Sequence, residues 1–198
     1  MSVMKSAVLG FLETSPESLS HERLQALLEC VEAELQPLAG LSKDFPDEDL
    51  WDLGGCIALI SPQDRRISVV RVGDFRIVRV RDHRLEVLAR EHTLRAQLES
   101  QGQVVPDAVS NVIVAHLGGR LAIPGDAITT AEVEVGDRLA IFEHPNTRSV
   151  AEDLALLLSV GNLRPEEAAA KTLDASVEHS VACAQLPSRA VCIVDIVG

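Results

Sequence analysis

The side chains able to do chemistry in this chain are four cysteines, six histidines and thirty acids set against eighteen basic residues. Cys30, Cys56, Cys183 and Cys192 form no Cys-x-x-Cys pair, and each stands in an apolar run. Zinc sites and disulfide frameworks need other spacings, so buried, reduced thiols of a cytoplasmic protein are expected. No Gly-x-Ser-x-Gly, His-Glu-x-x-His, Walker or Gly-x-Gly-x-x-Gly signature occurs. Ser188-Arg189 is a loop pair rather than a Ser–His nucleophile. His21, His83 and His179 read as turn or exposed helix positions.

The formal net charge is −12, which repels phosphate backbones and anionic lipid surfaces. Nucleic acid and membrane are therefore poor partners. The charge is uneven. Eleven acids lie between Glu13 and Asp52 against Arg23 and Lys43, and nine arginines lie between Arg65 and Arg95 against Asp74, Asp82, Glu86 and Glu91. Solvated surfaces explain both blocks, with a docking patch as the alternative. The early apolar run Ala7–Leu12 is too short for a secretory leader, and no stretch has the length of a membrane span.

Positioning these residues falls to elements legible in the apolar pattern. Residues 6–13 read as a buried strand. Thr14 or Ser15 then caps a helix whose stripe is Leu24, Leu27, Leu28, Val31 and Leu35, ended by Pro37 and Gly40. Residues 41–53, acidic and interrupted by Pro46, read as a loop. The β-branched runs 55–60, 67–72, 75–81 and 84–89 are separated by Ser61-Pro62-Gln63-Asp64, Gly73-Asp74 and Asp82-His83, which predicts a four-strand antiparallel meander. A short helix with Leu94 and Leu98 on one face stops at Gly102. Residues 111–117 suit strand or helix equally. Strands at 131–135 and 137–142 flank Gly136-Asp137, helices follow over about 149–160 and 165–178, and a strand at 190–197 closes the chain. Strands clustered between helical blocks argue an α+β sandwich.

From Gly54 onward these segments resemble the type 2C (PPM) metal-dependent protein phosphatases. Val69–Arg76, VVRVGDFR, is similar to that family's Gly-Asp-Ser-Arg hairpin, with Phe75 replacing Ser. Leu88–Leu94, LAREHTL, is similar to Thr-x-Asp-His-Ser-Leu, with His92 at the His and Glu91 in place of Asp. Asn111–Gly119, Gly136-Asp137-Arg138-Leu139 and the Pro165–Ala169 helix start follow in the family's order. The resemblance implies one domain over 1–198, divergent over 1–53 and matched over 54–198. It implies two antiparallel sheets in a sandwich flanked by helix pairs, abbreviated at the N-terminus. In the family, carboxylates at one end of the sandwich hold two divalent metals, whose bound water attacks a phosphate ester.

The sequence departs from that pattern where the metals would bind. No Asp-Gly occurs anywhere, and Glu13 stands near the first missing Asp. The Ser-Asp-Gly expected after the Gly-Asp-Arg-Leu strand falls on Glu143-His144-Pro145, and the final Asp-Asn falls on Ser188-Arg189. Glu13 and His144 are weak metal candidates, since magnesium or manganese prefers oxygen and Arg189 brings a positive charge. Glu13, Glu143, His144, Ser188 and Arg189 are thus the positions of a vestigial site. The resemblance then implies a non-catalytic module with no catalytic residue and no cofactor. Its partner would be another protein, such as a phosphoprotein or kinase-pathway component, and homo-oligomerisation stays open. One alternative is a divergent Ser/Thr phosphatase with an atypical magnesium or manganese site. Another is a phosphate or phosphopeptide binder using Arg189.

Overall fold

The computed structural model describes residues 20–39, 54–61, 63–106, 112–117, 123–143, 150–182 and 190–198. The expected strand at 6–13, the loop at 41–53 and the residues Glu13, His144, Cys183, Ser188 and Arg189 lie outside these. The described elements run α1 (His21–Ala39), β1 (Gly55–Ser61), β2 (Arg66–Val72), β3 (Phe75–Arg81), β4 (Arg84–Ala89) and α2 (Leu94–Ser100). They continue with β5 (Ile128–Glu132), β6 (Arg138–Glu143), α3 (Val150–Ser159), α4 (Pro165–Ala182) and β7 (Val191–Asp195). Residues 112–117 are neither helix nor strand, but extended chain with isolated bridges at Ile113 and Leu117. The chain is α+β, with a three-stranded sheet in the order β1-β2-β5 and a four-stranded sheet in the order β4-β3-β6-β7.

The backbone gathers into two compact units. One comprises residues 1–73 and 113–131, the other residues 74–112 and 132–198. In the first, β1 and β2 pair antiparallel from Gly55↔Val72 to Ser61↔Arg66. Leu24, Leu27, Leu28, Val31 and Leu35 of α1 are all buried, in one core with Val70, Val72, Ala115 and Leu117. The helix begins later than Thr14–Glu17. Ser20 lies outside it and accepts from the Arg23 N–H through its hydroxyl, at 3.4 Å, so Ser20 is the cap. Pro37 does not stop α1, which runs on to Ala39, because a proline in the last turn removes only one of the final hydrogen bonds.

In the second unit, β3 pairs antiparallel with β4 and β6, and β6 with β7. Val78, Ala140, Phe142, Leu157, Val160, Ala168 and Ile193 form its core. Arg138 ties three of its elements together. It donates to both oxygens of Asp195, at 2.6 and 2.7 Å, and to the carbonyls of Val160 and Leu163, at 2.7 Å each, just past the end of α3. Carbonyls left over at a helix end need such donors.

The four-strand meander is corrected: it is two hairpins, β1–β2 and β3–β4, in different sheets. Gly73-Asp74 is where the chain leaves one sheet for the other. Gly73 has φ +99°, and a Cβ there would lie 2.8 Å from the Gly54 Cα. The pair of glycines lets β2 finish hard against the start of β1, where a side chain would push them apart. The strand expected at 131–135 is also shifted, to Ile128–Glu132. Asp137 accepts from the Glu134 N–H at 2.9 Å, and the Asp137 N–H donates to the Glu134 carbonyl at 3.0 Å. That turn consumes residues 133–137 and ends the strand early.

Candidate functional site

The chemistry-bearing cluster of the second unit stands at the end of β6. Glu143 is the last residue of that strand, opposite Phe75 in register, and its N–H donates to the Ala190 carbonyl at 3.2 Å. Asp74 immediately precedes β3, so it falls beside Glu143 across the same strand pair. Arg76 follows two residues later and is buried. Its Nε donates to Glu91 Oε2 at 2.9 Å and its Nη2 to Glu91 Oε1 at 2.6 Å. Both side chains are almost fully enclosed, at 5% and 3% exposure, so this is a two-pronged ion pair shielded from water. Beside it the α2 start is fixed by Thr93, whose Oγ1 accepts from the Ala96 N–H at 3.1 Å. His92, next to this cap, is buried, in keeping with a structural role.

Burial pushes the Asp74 carboxyl up to about 8; Glu91 and Glu143 add to the rise and Arg76 opposes it. Its Oδ1 is buried with no hydrogen-bond partner among the described residues. At neutral pH the cluster therefore holds a protonated acid, an Arg–carboxylate pair and Glu143. A protonated carboxyl can donate a hydrogen bond.

Among the sequence-derived positions, only Glu143 falls within the described residues, and the structure brings it near Asp74, opposite Phe75 in register. In the sequence alone Asp74 reads only as a turn residue. The signal in the sequence is an acid between two β-branched strand segments, Val69–Val72 and Phe75–Val80. No group of three or more His, Cys, Asp or Glu among the described residues is arranged to hold a metal ion. Glu91 engages Arg76 with both oxygens, and His144 follows Glu143 where the PPM pattern has Asp. These described carboxylates do not fit a pair of hard divalent cations, each of which wants several charged oxygens.

The geometry bears on two further expectations. Several arginines of the block are ion-paired, while Arg65, Arg66, Arg84 and Arg90 are exposed. Arg71 meets Asp126 at 3.2 Å, Arg81 grips both oxygens of Asp137 at 2.6 and 2.7 Å, Arg79 pairs with Glu86, and Arg95 meets Glu99 at 3.0 Å. Burial alone would raise the Asp137 carboxyl, but Arg81, the Glu134 N–H and Arg79 hold it below the usual carboxylate range. The cysteines are less enclosed than expected: Cys30 and Cys192 are exposed and Cys56 is half-buried, all three as free thiols. On α1 the apolar stripe at Leu27, Leu28 and Val31 takes the inner face, which turns Cys30 outward.

No family profile and no curated protein matches the sequence. Solved structures do. The chain is similar to the serine/threonine phosphatase PstP of Mycobacterium tuberculosis, with TM-score 0.67 and 19% identity over 100% of this chain and 83% of that one. It is similar to Stp1 of Staphylococcus aureus, with TM-score 0.72 and 15% identity over 100% and 77%. It is also similar to PppA of Pseudomonas aeruginosa, with TM-score 0.62 and 16% identity over 96% and 77%. Another PstP catalytic-domain structure was solved with two manganese ions. Identities this low speak for the backbone and not for the chemistry. Ordered sequence segments and backbone agree: this chain has the fold of the PPM (type 2C) serine/threonine phosphatases.

Proposed function

We propose that the chain is a PPM-fold domain without two-metal phosphatase activity, serving as a protein-interaction or regulatory module. The observation that carries this is the state of the carboxylates around the end of β6. Glu91 is locked to Arg76, the Asp74 carboxyl lies at about 8, and His144 follows Glu143 where the PPM pattern has Asp. The replacement of Asp-Asn by Ser188-Arg189 adds a cation where an anion would serve a metal. The absence of Asp-Gly removes the remaining metal-binding turn. On this reading no resident metal is used, and the partner is a protein. No described helix is long and apolar enough to cross a membrane.

The test is hydrolysis of p-nitrophenyl phosphate with manganese, beside a PPM phosphatase as positive control. The expected result is no turnover above a metal-only blank. Turnover that disappears in Glu13→Gln or His144→Ala would overturn the proposal and establish an atypical metal site.

A further inference from the structure

We draw no further inference here: the strongest candidate, the open cleft in the second unit between the β3–β4 turn, the end of α3 and the end of β7, is lined by apolar and charged side chains alike, its Asp137 and Asp195 are already paired with Arg81 and Arg138, and nothing in the structure shows what covers it.

Discussion

Asp74 and Asp137 are two aspartates that each follow a glycine, and the fold sends them in opposite directions. Asp137 faces Arg81 squarely and stays ionised, while Asp74 lies against Glu91 and Glu143 with Arg76 already engaged. The consequence for stability follows from proton counting. With a folded-state value of about 8 against an unfolded 3.8, Asp74 binds more proton in the folded chain between those values. Stability therefore falls as pH rises from about 4 to 8 and levels off above. Asp74→Asn removes that slope. Its melting temperature should exceed the parent's at pH 8, by an amount reflecting a few kcal/mol at most, and match it at pH 4. A pH-independent difference between the two would show that the carboxyl is not held protonated. For Asp137 the sign reverses: its contribution is present above the unfolded value and lost as pH falls through the depressed folded one. Neither behaviour was legible in the sequence, where both appear as Gly-Asp turn chemistry. Partners 15 residues away, as Glu91 is from Arg76, and 56 away, as Asp137 is from Arg81, leave no local trace.

At the scale of elements, the sequence reveals what repeats along the chain and hides what crosses it. The α1 stripe was legible because helical spacing puts Leu24, Leu27, Leu28, Val31 and Leu35 on one side, and all five are buried. The strands were legible as β-branched runs between turn residues. Which strand pairs with which was not, because β2 and β3 carry the same alternation whichever sheet they join. The break between sheets rests instead on Gly73. Gly73→Ala places a methyl 2.8 Å from the Gly54 backbone and asks alanine to hold φ +99°. Gly136→Ala demands φ +97° but meets nothing within 4 Å. Both should lose stability, Gly136→Ala by about 1 kcal/mol from the backbone conformation alone. Gly73→Ala should lose about 2–4 kcal/mol, because the sheet edge must also move. Urea unfolding of the two variants measures the difference. Equal losses would mean that the Gly54–Gly73 approach is not a packing constraint.

At the scale of the molecule, the chain shares its fold with manganese-bearing PstP while no metal-holding group of His, Cys, Asp or Glu stands among the described residues, and whether the chain binds a metal can be asked by thermodynamics without any substrate. A ligand that binds only the folded chain stabilises it by an amount set by its concentration over its dissociation constant, about 2.7 kcal/mol at a hundred-fold excess. For a chain of 198 residues that raises the melting temperature by roughly 5–10 °C. A retained site with a dissociation constant near 50 µM would therefore declare itself in about 5 mM manganese. The expectation for this chain is a shift below about 1 °C, equal to that in magnesium, since screening of a −12 charge acts alike for both ions. The position of the shift is informative as well. If manganese did stabilise the chain by several degrees, His144→Ala and Glu143→Gln would tell whether the residues after β6 hold it. Loss of the shift in those variants would restore a metal to this end of the fold and remove the basis for reading it as vestigial. An unchanged shift would place the ion elsewhere and leave that basis intact.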